Sequence, residues 1–134
     1  MLRLLLLAFV ATAPAAADAQ TPLQTFAKRY ESGPVIDPEK MQAAPYDYAD
    51  QNYSLRLRFV RVVGPAAAVF AGASSKGQAV TVFLTKVPTE AFKGGEHVMA
   101  AVRVIGFTET STFAEVELVG FEICKNPDCS EFDR

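Results

Sequence analysis

The chain has 134 residues, half of them hydrophobic, with 13 basic against 15 acidic side chains and a net charge of −2. That balance excludes the strongly basic surface of a general nucleic-acid binder and the polybasic patch that holds a protein on anionic lipid. With one histidine, two cysteines and no tryptophan, the stock of groups able to do covalent or metal chemistry is small.

The first segment reads MLRLLLLAFVATAPAAADAQ. Arg3 supplies a positive start, Leu4 to Ala11 an apolar core, and Pro14 breaks that core. Ala15-x-Ala17 and Ala17-x-Ala19 then both satisfy the small-x-small rule for signal-peptide cleavage. The apolar run falls well short of the about 20 residues that span a bilayer. Residues 1–19 are therefore expected to be a signal peptide cut after Ala19, leaving no membrane anchor. No cysteine lies near the cut to carry a lipid. The expected destination is the bacterial periplasm or the medium, where nucleic acid is not a partner. Cleavage removes Arg3 and Asp18, so the net charge stays at −2.

From Thr21 to Tyr53 the chain is polar and rich in turn residues. Thr21-Pro22-Leu23-Gln24 has the form of a capping box with proline at the first helical position. Leu23, Phe26 and Tyr30 fall on one helical face, and Ser32-Gly33-Pro34 is expected to end the helix. Asp37-Pro38-Glu39 starts a second helical turn, stopped at Pro45. The following PYDYADQNY reads as a covering loop with packed tyrosine rings and wet hydroxyls. Its Asp47, Asp50 and Asn52 match no calcium-binding loop.

From Ser54 the chain turns β-branched and aromatic, and five strands are expected. SLRLRFVRVV (54–63) alternates with Leu55, Leu57 and Phe59 inward and Arg56 and Arg58 outward. The phase then slips, and a bulge near Phe59–Arg61 would bring Val60 and Val62 into the core. AAAVFAG (66–72), a Ser-Ser-Lys-Gly turn and QAVTVFLTKV (78–87) follow, the last with Val80, Val82 and Leu84 on one face. PTEAFKGG (88–95) interrupts the strands with one helical turn, Phe92 plugging the end of a barrel. HVMAAVRVIGF (97–107) sets Val98, Ala100, Val102 and Val104 inward. FAEVELVGFEI (113–123) points Glu115 and Glu117 outward and slips again near Val119-Gly120.

The fold class expected from this pattern is mainly β: a five-stranded barrel with a short N-terminal helical extension, its closure removing the exposed sheet edges. The run from Ser54 to Ile123 resembles an OB-fold, and GGEHVMAAVRVIGFTE with FAEVELVGFEI looks like the last hairpin of one. Small exported bacterial OB-fold proteins share this size and a signal peptide. The domain boundaries that follow are a signal peptide (1–19), a helical and loop extension (20–53), an OB-like barrel (54–123) and a disulfide-closed tail (124–134).

Chemistry is sparse. His97 sits at a strand start with no nucleophile motif around it, and GGEH leads into a strand rather than a phosphate-binding helix. No catalytic residue, metal ligand set or cofactor is expected. Cys124 and Cys129 stand as C-x-x-x-x-C after a strand, which fits neither a thioredoxin motif nor a four-ligand zinc site. Asn126, Pro127 and Asp128 suit a type I turn that would bring them together as a disulfide, worth about 2 kcal/mol for so short a loop. The outward Arg103 is expected to pair with Glu117 or Glu115 as ordinary surface electrostatics. OB barrels commonly bind across their second and third strands. On that resemblance the expected ligand face carries Arg56 and Arg58 as anion contacts and Phe83 beside a loop tyrosine as stacking platforms. An envelope protein or glycan is the expected partner. The competing expectation is a structural protein docking through its helix or barrel edge, and the last alternative a small hydrolase or redox enzyme using His97 or the cysteines.

Overall fold

A computed structural model describes residues 20–107 and 113–133. The expected signal peptide lies outside the described residues. Helix α1 (Pro22–Tyr30) begins with the expected capping box: Gln24 N–H donates to the Thr21 hydroxyl, and the Gln24 side chain accepts from Thr21 N–H. Its end corrects the sequence reading. The left-handed residue is Glu31, not Gly33, so the chain reverses early and Ser32–Val35 is released to form strand β1. This strand pairs in parallel with the start of β2 (Asn52–Gly64). The buried Ser54 hydroxyl lies 3.0 Å from both the Ser32 hydroxyl and the Gly33 carbonyl, fastening the two strands. Helix α2 (Pro38–Ala43) is capped by the Asp37 carboxylate, and a 3-10 turn at Pro45–Tyr48 follows.

The remaining strands are β3 (Ala67–Ala73), β4 (Ala79–Thr85), β5 (His97–Phe107) and β6 (Ala114–Ile123). The sheet is mixed and six-stranded rather than five-stranded, because β1 joins it at an edge. Within it the pairings β2–β3–β4–β6–β5 return to β2 and close a ring. The β4–β6 contact is the short parallel step, Leu84 with Val116 and Thr85 with Glu117, reinforced by the Thr85 hydroxyl donating to the Val116 carbonyl at 3.3 Å.

Both expected bulges are present, at Val60 against β3 and at Val119 against β5. The first does not bring the valines inward. Val60 and Val62 are 39% and 46% exposed, not core. Pairing of β2 with β5 stops at Arg58–His97, and main-chain bonds of Phe59 to Gly95 and Glu96 end the contact. Beyond that point β2 has only β3 beside it among the described residues, so its valines run past the edge of the core.

Two apolar clusters hold the molecule. The ring interior is filled by Leu55, Leu57, Phe59, Phe70, Val82, Leu84 and the inward faces of β5 and β6. Phe92, after the 3-10 turn Thr89–Ala91, stacks on Phe59 at 5.0 Å and also meets Phe70 and Phe121. The second cluster lies outside the ring: Phe26 of α1 covers Met99 and Ala101 of β5 together with Cys129 and Phe132 of the tail. Two glycines admit rings onto the sheet. A Cβ at Gly120 would stand 2.2 Å from the Tyr30 ring, and one at Gly106, where φ is +141°, 2.4 Å from Tyr46. Tyr46 therefore covers β5 as the loop reading expected, while Tyr53 is buried with its hydroxyl donating to Asp50.

Candidate functional site

The tail is folded rather than loose. Cys124 and Cys129 form the expected disulfide, with Cα atoms 5.1 Å apart. The turn differs from the type I expected. Cys129 N–H does reach the Asn126 carbonyl, but Asp128 and Cys129 both adopt left-handed backbone (φ 59° and 58°). A type I turn keeps φ negative at its third position. The strain is offset by what surrounds the turn. Glu131 accepts from Lys125 and Asn126 N–H, Cys124 N–H donates to the His97 carbonyl at 2.7 Å, and Cys129 is 1% exposed against α1. A disulfide, and no helix among the described residues long and apolar enough to cross a membrane, are compatible with export.

This turn forms one wall of a groove of about 460 Å³. The register explains the groove. On the outward face Arg58 lies opposite both His97 of β5 and Ala71 of β3, and Ala73 pairs with Ala79 of β4. The floor made by Ala71, Ala73 and Ala79 has almost no side-chain height, so Arg56 and Arg58 of β2 stand above it together with Asp128 and Cys129 of the tail, which packs over β5. Its far end is the β3–β4 turn, where Gly77 takes φ 81°. That turn is fixed by the Ser74 hydroxyl accepting from Lys76 and Gln78 N–H. Asp37 accepts from both Glu39 and Ser75 N–H, which ties α2 to the same turn.

The predicted site residues divide. Arg56 and Arg58 share the groove; Phe83 does not line it. Its ring packs edge-to-face on Phe113 at 4.7 Å. The exposed tyrosine, Tyr46, sits with Phe107 at the opposite end of β5. Arg56 is engaged from the tail: Nη1 pairs with Asp133 Oδ1, and Nη2 donates to the Phe132 carbonyl at 3.4 Å. Arg58 is exposed and has no hydrogen-bond or ion-pair partner among the described residues. Arg103 pairs with Glu117, which also meets Lys86, as the cross-strand reading expected.

Titration is shifted at carboxyls that accept main-chain N–H bonds, and at Tyr53, whose hydroxyl pKa is raised by its bond to Asp50. The N–H groups of Lys93 and Gly94 hold the Glu96 carboxyl below its ordinary value, and that of Lys125 does the same for Glu131. The His97 ring has no hydrogen-bond partner among the described residues. Nor do any three His, Cys, Asp or Glu side chains among them gather as a metal ligand set. Sequence reasoning missed Asp128 as a groove residue and Asp133 as the partner of Arg56. Their acidity was visible, but no periodicity placed the tail against β2. No protein-family model matches the chain, and neither curated proteins nor solved structures give a significant match.

Proposed function

We propose that the protein is an exported binding module of the cell envelope, not an enzyme, that its ring is an OB-like barrel, and that it takes an anionic group of a protein or glycan in the Arg56–Arg58 groove. The observation that carries this reading is the unpartnered Arg58 guanidinium beside a floor of alanines. An exposed, unpaired guanidinium over a low, partly apolar surface can supply a charge-assisted hydrogen bond without first breaking an ion pair. The floor belongs to β3 and β4, the second and third strands of the ring, where barrels of this kind bind. Fluorescence anisotropy with labelled hexa-aspartate and oligogalacturonate tests it. Arg58→Glu is expected to weaken the bound probe by roughly tenfold or more. Equal affinity of the variant and the wild type for both probes would overturn the reading.

A docking role through the barrel edge is favoured by one different observation, the exposed Val60, Val62 and Val63 on a stretch of β2 with a single neighbour. Such an edge pairs readily with another strand. It predicts a concentration-dependent rise in mass in sedimentation equilibrium that Val62→Asp removes; a monomer at all concentrations counts against self-pairing.

A further inference from the structure

We propose that Asp133 is an internal competitor for Arg56 at the edge of this groove, and that what it stands in for is an acidic segment of a polypeptide; the inference rests on the groove reading above. Both ends of the Arg56 guanidinium are taken by consecutive residues of one segment, the Asp133 carboxylate and the Phe132 main-chain carbonyl. A carboxylate next to a peptide carbonyl is a polypeptide pattern, whereas an oligogalacturonate offers carboxylates and hydroxyls but no amide carbonyl.

Spacing extends the match. Arg56 and Arg58 are alternate residues on the outward face of β2, about 6.8 Å apart along the strand. Alternate side chains of an extended peptide have that same repeat, so two carboxylates of one extended segment can meet both guanidiniums. The internal ligand satisfies only the first of them.

The tail backbone is not free to leave. Cys129 is buried in the disulfide, Phe132 packs edge-to-face on Phe26 at 5.9 Å, and Glu131 holds the start of the turn. The Asp133 side chain is 56% exposed and is held by its pairing with Arg56. An exposed ion pair of this kind is weak. Displacing Asp133 thus needs rotation of one side chain and no unfolding of the tail. An incoming carboxylate takes Arg56 while the one two residues along takes Arg58.

Anisotropy of labelled hexa-aspartate and labelled oligogalacturonate on the wild type, Asp133→Asn, Arg58→Glu and Glu90→Gln tests this. The last makes the same change of net charge at an exposed turn outside the groove. Hexa-aspartate should bind Asp133→Asn about two- to fivefold more tightly than the wild type, Glu90→Gln like the wild type, and Arg58→Glu far more weakly. If Asp133→Asn gains no more than Glu90→Gln while Arg58→Glu still loses binding, the competitor role is overturned and the groove reading stands. If oligogalacturonate binds the wild type more tightly than hexa-aspartate does, the ligand is a glycan and the polypeptide assignment fails. If neither probe binds any of the four proteins, both readings fall.

Discussion

Replacing Phe26 with alanine is expected to destabilise the protein by about 3–5 kcal/mol, the cost of emptying a closed aromatic site. The ring is fully buried although it lies on a nine-residue helix outside the strand ring. It contacts Tyr30 at 4.9 Å and Phe132 at 5.9 Å, and covers Met99 and Ala101. A helix this short is marginal by itself in water, so its capping box sets where it starts but not whether it persists. Packing through Phe26 supplies the rest. The expected readout is a urea midpoint lower by roughly 2 M, with amide protection lost first along Pro22–Tyr30. Leu23→Ala should cost much less, because Leu23 is only partly buried. A Phe26→Ala loss below about 1 kcal/mol would mean that the helix is an appendage rather than part of the folded unit.

Phe92→Ala is expected to cost a similar amount, about 3–5 kcal/mol, by a different route. Phe92 follows a single 3-10 turn and belongs to no strand, yet its ring lies among Phe59, Phe70 and Phe121 at 4.8–5.5 Å. Removing it takes the lid from the ring interior, and the three remaining rings cannot close the gap without moving the strands that carry them. Equilibrium urea unfolding measures the loss. Phe92→Leu, which keeps most of the volume, should recover more than half of it. If the leucine variant is no better than alanine, the contribution is aromatic geometry rather than filled space. If alanine costs almost nothing, the site is not closed.

These two rings show why strand patterns told only part of the fold. Period-two alternation marks the inward faces correctly: Leu55, Leu57 and Phe59 on β2, Val82 and Leu84 on β4, and Val98, Ala100, Val102 and Val104 on β5 are all buried. It gave no partner for the outward face of β5. The sign was there, since VMAAV is an unbroken apolar run, which marks a strand covered on both sides. What covers it comes from both ends of the described chain, α1 and the tail, and no local rule places segments so distant in sequence. Apolar character misleads at Val60 and Val62, because burial depends on a neighbouring strand reaching that far, and β5 does not.

The candidate site divides in the same way. Arg56 and Arg58 were legible as an outward pair because they occupy alternate positions of one strand, and the disulfide because its loop is six residues long. Outward parity and the resemblance to a barrel that binds across its second and third strands make Phe83 a ligand platform, but its ring packs on Phe113 and does not line the groove. Short-range stereochemistry is written in neighbouring residues: the capping box, the bulges, the turns at Gly77 and Gly94-Gly95, the spacing of the cysteines. The groove is not, because it is built between β2, β3, β4 and a tail whose Asp133 returns to Arg56 across 77 positions. Contacts of that span depend on which surfaces are left uncovered once the ring has closed, and closure is a property of all the strands together.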